Sequence, residues 1–308
     1  MTRAKLLMVV HAHPDDESSQ TGGTLARYAT EGWRTLLVTC TDGGQGDGVD
    51  GAKPGEPGHR SFEVAGRRSA ELRDAAHALG ISDVVELGYH DSGLPDPTAA
   101  TVSEDAFVRE DLNAIADRLN ELMRTHRPDV VITYPPNGFT GHPDHIRTHE
   151  AVTLAHQMLV RDFEAHSAVA EAHRMIVEKY NLLGTPGISP PRTVPKPPAL
   201  YHIALSRRRF QGMKERAVAA FGPEAWLLPD ELAVDDSTVT TAIDIRQHWS
   251  HKLRALGAHQ SQADARSVLG LFETIPEEHR VEEYVRVYPA VSRPGPVVSD
   301  RLMSAEEI

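Results

Sequence analysis

The sequence predicts an α/β protein: a mostly parallel sheet with helices on both faces, plus a smaller C-terminal α/β extension. Three observations point there. Across the first 150 residues, short β-branched runs alternate with amphipathic stretches, the pattern of consecutive βαβ units. Two of the runs, Leu6–Val10 and Val130–Tyr134, carry no charge, as strands covered on both faces require. And 308 residues, 40% of them hydrophobic, suffice to bury a sizeable core.

Taken in order, the expected strands of the first half are Leu6–Val10, Thr35–Thr39, Asp83–Leu87 and Asp129–Tyr134. Helical spacing marks Thr21–Thr30, Phe62–Leu79 and Glu104–Thr125. In the last of these Phe107, Leu112, Ile115, Leu119 and Leu122 recur every three to five residues. Gly80 and Pro128 end two of the helices. The small residues of Thr21-Gly22-Gly23-Thr24 let the first helix pack closely. Asp42–Gly58, crowded with glycine and proline, is expected to be a mobile loop able to act as a lid. Residues Ile146–Val177 read as largely helical, whereas Thr185–Pro198 holds six prolines and leaves no room for a central strand. The expected organisation is therefore a core over residues 1–184, a proline-rich connector over 185–199 and an extension over 200–308. In the extension, strands are expected at Leu200–Leu205 and Val239–Ile243, and helices at Arg208–Phe221 and Ile245–His259. The tail after Tyr288 has little pattern.

Composition narrows the function. A formal net charge of −12 disfavours nucleic-acid binding, which relies on lysine and arginine to neutralise phosphates. The single cysteine, Cys40, sits in an apolar run and is expected to be a buried hydrophobe in a reducing, cytoplasmic setting. The apolar run before His11 is too short for a signal-peptide core, and no segment is long enough to span a membrane. A small-molecule substrate fits this balance, and a homo-oligomer is left open.

Two short motifs carry the chemistry: His13-Pro14-Asp15-Asp16-Glu17 and His142-Pro143-Asp144-His145, each just beyond a predicted buried strand. Ligands of open α/β sheets bind in the crevice past the carboxyl ends of the strands, so the two motifs are expected to meet there as one divided metal site. Catalytic zinc takes three histidine or carboxylate ligands and leaves a fourth position for water, and His13, Asp16 and His145 supply that set. Asp15 is then available as general base and His142 as oxyanion stabiliser or acid. Asp144 is expected to hydrogen-bond a ring nitrogen of His142 and favour its imidazolium form. A competing explanation makes Asp15, Asp16 and Asp144 helix caps, but caps do not require histidines flanking both prolines. His11, on the strand itself, is read as structural. His149 is the runner-up third ligand by its i, i+4 spacing from His145, although a polar helix surface explains His149 and His156 more simply. Gly44, Gly46 and Gly48 match neither phosphate-binding glycine pattern.

With these residues in hand, the sequence resembles the zinc-dependent N-deacetylases of the LmbE-like, or PIG-L, family. The matching pieces are His13-Pro14-Asp15-Asp16-Glu17, Arg68-x-x-Glu71-Leu72, Asp91-Ser92-Gly93 and His142-Pro143-Asp144-His145, with weaker likeness at Lys252 and His259-Gln260-Ser261-Gln262. The resemblance implies a Rossmann-like fold, Zn²⁺ or another divalent ion at His13, Asp16 and His145, and the roles above for Asp15 and His142. It also implies that Arg68 and Asp91 grip sugar hydroxyls. The implied reaction is removal of an N-acetyl or similar acyl group from an amino-sugar conjugate. Cleavage of thiol conjugates and deacylation of glycosylated natural products are the alternatives within the family, and a non-catalytic metal- or sugar-binding module or a sugar-nucleotide transferase those outside it. Thr140 stands where mycothiol-pathway members often carry tyrosine.

Overall fold

A computed structural model describes residues 3–48, 51–94, 103–183, 189, 191, 193–225, 228–290 and 299–303. Five strands are parallel: β1 (Leu6–His11), β2 (Arg34–Thr41), β3 (Asp83–Tyr89), β4 (Val130–Thr133) and β5 (Ala199–Ala204). Two more, β6 (Thr241–Asp244) and β7 (Val281–Tyr288), extend the same sheet through antiparallel pairing, giving the order β3-β2-β1-β4-β5-β7-β6. The strands on either side of the proline-rich connector are thus hydrogen-bonded neighbours in one sheet.

Strand parity decides which helices each residue meets. In β1, Leu7 and Val9 face a core shared with α1 (Gly22–Thr30), α2 (Ser61–Leu79), α6 (Trp249–Ala258) and α7 (Ala263–Glu273). Leu6, Met8 and Val10 face the other core, built with α3 (Leu112–His126) and α4 (Pro143–Lys179). A strand buried on both faces has no place for a charge, which is why β1 reads as a continuous apolar run. Helix α5 (Arg207–Phe221) follows β5.

Several expectations shift. The helix expected from Glu104 begins at Leu112, because Asp111 caps it by accepting the Asn113 N–H at 2.9 Å, while Phe107 anchors a separate 3₁₀ turn. The expected Val239–Ile243 strand starts later, at Thr241, and the helix expected over Ile245–His259 splits into a 3₁₀ turn at Arg246–His248 and α6. Helix α7 and strand β7 were not expected. In β7, adjacent Glu282 and Glu283 break the apolar alternation, yet Glu282 is buried. Its carboxylate accepts the Gly23 and Thr24 N–H groups at 3.0 and 2.7 Å and pairs with Lys252 Nζ at 2.6 Å. A carboxylate of the chain itself therefore occupies the α1 N-terminus, where other α/β folds bind phosphate. Close packing at Gly22-Gly23 is as expected: a Cβ on Gly23 would lie 2.5 Å from Ile245 Cδ1.

The chain crosses from β3, at one edge, back to β4 beside β1, so the loops leaving β1 and β4 diverge and open a crevice between them. Both histidine motifs lie there.

Candidate metal centre

The first motif leaves β1 and enters a single π-helical turn, Glu17–Thr21; Asp16 precedes this turn but makes no cap. The second opens α4, with Pro143 in its first turn and His142 as N-cap, its Nδ1 accepting the Asp144 N–H at 3.1 Å.

His13 Nδ1, Asp16 Oδ2 and His145 Nε2 form a nearly equilateral triangle with edges of 3.2, 3.3 and 3.4 Å. A tetrahedral ion with bonds of about 2.0–2.1 Å sets its ligand atoms about 3.3–3.4 Å apart, so the triangle fits one face of such a coordination sphere. Each vertex is braced. Tyr134 donates its hydroxyl proton to Asp16 Oδ2 at 2.7 Å, and Gln20 Nε2 donates to Asp16 Oδ1 at 2.8 Å. His145 Nδ1 lies 2.9 Å from the Gly138 carbonyl, which fixes the proton there and leaves the lone pair of Nε2 facing the triangle; Tyr134 stacks on the same ring at 4.2 Å. Thr140 Oγ1 adds a contact to His145 Nδ1 at 3.2 Å. On His13, Nε2 faces Asp144 Oδ2 at 3.1 Å, the carboxylate–histidine arrangement that orients a metal ligand. Other donor sets also converge, His13 with His142 and His145, and His13 with Asp91, His142 and Asp144. The Asp16 triangle stands out by its edge lengths, which match one face of a tetrahedral coordination sphere.

The electrostatics call for a cation. Burial opposes charge on His13, but Asp91, Asp144 and Asp16 outweigh it and raise the imidazole well above its usual range. Burial opposes charge on Asp16 too, yet His145 and His13 hold its carboxyl well below the usual range. Asp144 keeps Oδ1 buried without a partner among the described residues. Three carboxylates around two imidazoles are an anionic cage.

Asp15 stands beside the triangle, 23% exposed, with φ at 120°, a region rare for a residue with a side chain. Burial pushes its carboxyl up to about 6, against the pull of Arg68 and with a further push from Asp16. Arg68 is buried and gives Nη2 to Asp15 Oδ2 at 3.0 Å and to the Pro14 carbonyl at 2.5 Å, and Nη1 to the Gly43 carbonyl at 2.9 Å. Asp91 Oδ1 lies 3.5 Å from His13 Nε2 and accepts the Gly93 N–H at 2.9 Å. Burial raises the Asp91 carboxyl, but His13 and Arg68 bring it well below its ordinary value.

The expected pairing of Asp144 with His142 differs in the structure. The Asp144 carboxylate goes to His13 and to the Ser92 N–H, at 2.9 Å, and only its backbone meets His142. Nor is His142 an imidazolium: burial, then His13 and His145, take its pKa down to about 2. Its Nδ1 accepts, so the neutral ring carries its proton on Nε2. His11 is structural as expected, buried between Tyr134 Oη at 3.2 Å and Thr21 Oγ1 at 2.9 Å. His149 turns away to the Tyr134 carbonyl, and His156, expected at the surface, is buried against the Pro198 carbonyl. The loop expected to be a mobile lid is held at Asp47, while residues 51–58 are largely exposed; residues 49 and 50 lie outside the described residues. Gln262 Oε1 accepts the Asp47 N–H at 3.0 Å, and Asp47 accepts the Ala263 N–H at 2.9 Å. Sequence reasoning gave no role to Tyr134, nor to Glu17 and His259, which entered only as parts of the family likeness; the contacts of Tyr134 with Asp16 and of His259 with Glu17 join residues remote in the chain. Tyr134 was findable as the one phenol at the end of a buried strand.

Residues 8–156 match the family described as PIG-L, GlcNAc-PI de-N-acetylase. A 1D-myo-inositol 2-acetamido-2-deoxy-α-D-glucopyranoside deacetylase from Actinosynnema mirum is 38% identical over 268 residues, covering 85% of this chain and 82% of the relative. The chain belongs to the PIG-L family. Among solved structures, the N,N'-diacetylchitobiose deacetylase of Pyrococcus horikoshii aligns with a TM-score of 0.55 at 19% identity, covering 92% of this chain and 84% of that one. GalB, the 4-carboxy-2-hydroxymuconate hydratase of Pseudomonas putida, aligns at 0.52 and 20% identity, covering 94% and 98%. Both likenesses concern the fold, and a hydratase shares it with a deacetylase, so the fold does not name the chemistry. PIG-L membership does: the chain is a metal-dependent hydrolase of the N-deacetylase class. Among the described residues, no helix is long and apolar enough to cross a membrane.

Proposed function

We propose that this PIG-L chain is a zinc deacetylase whose substrate is a glucosaminyl-inositol type conjugate. The observation that carries the zinc assignment is the triangle of His13, Asp16 and His145, two imidazoles and a carboxylate at tetrahedral edge lengths. The name of the Actinosynnema mirum relative supports the substrate class. Zinc held there supplies a water acidified to a pKa of about 7 and a Lewis acid for the amide carbonyl.

The residues around it do the rest. Asp15 accepts a proton from the attacking water as the water oxygen bonds to the amide carbon. Arg68 keeps the Asp15 carboxylate aimed. His142 Nε2–H donates to the oxygen on which negative charge develops, a role a neutral ring performs without a proton transfer. The carbon–nitrogen bond then breaks, the amine leaves with the proton Asp15 took, and the acetic acid that remains loses the water's second proton to solvent as acetate. Asp144 holds His13 in its tautomer. Asp91, charged, is assigned to sugar hydroxyls together with Arg68, where a hydroxyl competes with the Pro14 and Gly43 carbonyls for the guanidinium. We place the chain in the cytoplasm, consistent with the lone thiol of Cys40, buried and pushed up to about 12 by desolvation.

The test is amine release by metal-loaded protein from glucosaminyl-inositol, thiol-conjugate and glycopeptide N-acyl substrates. We expect turnover of the first, its loss on chelation and its return with Zn²⁺. Full turnover without metal would exclude the mechanism, and preference for either other substrate would move the assignment within the family.

A further inference from the structure

We propose that His259, more than a hundred residues beyond the span matched to the family, is a positioning residue that sets Asp15 through Glu17. The inference rests on the assignment of Asp15 as base. An aspartate at φ 120° is strained and persists only where its surroundings impose it. Here the Asp15 N–H donates to Glu17 Oε2 at 2.9 Å. The other oxygen of Glu17 receives the Ser18 hydroxyl and lies 2.8 Å from His259 Nε2. Glu17 and His259 are both fully buried. Without the imidazole, Glu17 Oε1 keeps only the Ser18 hydroxyl, so the carboxylate is free to rotate and release the Asp15 amide.

Two separate holds therefore act on the base. Arg68 grips its carboxylate, and His259, through Glu17, grips its backbone. His259 follows α6 in a short turn that also pins other walls of the crevice. Ser261 N–H and hydroxyl both donate to Glu71 at 2.8 Å, and Gln262 holds Asp47. None of these contacts touches the ligand triangle, so the metal and the base are separable.

The experiment compares His259→Ala and His259→Gln with wild type in metal content, melting temperature, kcat, KM and crystal structure. Glutamine places an amide N–H near the position of Nε2 without the charge. We expect His259→Ala to bind metal at wild-type stoichiometry, to lose at least about 30-fold in kcat with KM within twofold, and to show Asp15 relaxed to negative φ. His259→Gln should recover most of the rate and the 120° conformation. Glu17→Gln combined with His259→Ala should be no slower than the worse single variant. Unchanged kcat, a rate loss that tracks metal loss, or an Asp15 φ still near 120° in folded His259→Ala would each overturn the relay. The base assignment has its own control: if Asp15→Asn turns over normally, that assignment fails, whereas the backbone readout still decides whether His259 sets Asp15.

Discussion

Asp15 and Asp16 are chemically the same residue, one peptide apart, and their surroundings shift their carboxyls in opposite directions, as the two proposed tasks require. Asp16 is buried against two imidazoles that hold it ionised, with every oxygen bonded, which suits the ligand role proposed for it. Asp15 keeps part of its side chain open to the crevice, and burial lifts it to about 6, within reach of a proton at neutral pH. Asp15→Asn should therefore retain metal while losing about 10²–10⁴-fold in kcat, measured as acetate release beside metal content by atomic absorption. Tyr134→Phe removes the hydroxyl that orients Asp16 but keeps the ring stacked on His145. It should weaken metal affinity about 10–100-fold in a chelator competition, with the saturated kcat much less affected.

Elements place these residues through close packing. Helix α1 can lie against the turn before α6 only because position 23 has no side chain; a Cβ would meet three Ile245 atoms at 2.5–2.7 Å. Gly23→Ala should thus destabilise by about 1–3 kcal/mol through overpacking, despite alanine's better helix propensity, and the midpoint in urea should fall. A rise in that midpoint would show that Ile245 yields at no cost. The same tight fit carries the Glu282 carboxylate to the α1 N-terminus, where it fills the anion position from inside. Strand β7, which supplies Glu282, escapes detection because its charges look like solvent-facing residues until Lys252, thirty residues earlier, is seen to meet them.

Across the whole molecule, the buried pair of Glu17 and His259 ties the first motif to the C-terminal part of the chain, and its titration gives stability a pH window. Burial opposes charge on both, but each partner outweighs it, with Asp15 adding to the effect on His259 and Arg68 opposing. Glu17 is lowered from 4.5 and His259 raised from 6.5. The lowered glutamate contributes stability that is present above 4.5 and lost as pH falls through its folded value. The raised histidine contributes stability that is present below 6.5 and lost as pH rises through its folded value. Both contributions are complete between 4.5 and 6.5. A melting-temperature profile should decline above that window, and the decline should flatten in His259→Gln; an identical profile in the variant would remove the pair as its source.

The strands β1–β4, the two histidine motifs and the position of both at the crevice were legible because each depends on local order: apolar runs, turn residues and spacing are properties of neighbouring amino acids. Tertiary structure alone decided that Asp144 serves His13 instead of His142, that Arg68 clamps Asp15, that Tyr134 orients Asp16, and that His259 reaches Glu17. Those choices turn on contacts between residues 53 to 242 positions apart, and on burial that converts an ordinary imidazole or carboxylate into a neutral donor, a fixed anion or a poised base. No local pattern encodes them, because the field at a buried group is the sum of charges the fold brings together from every part of the chain.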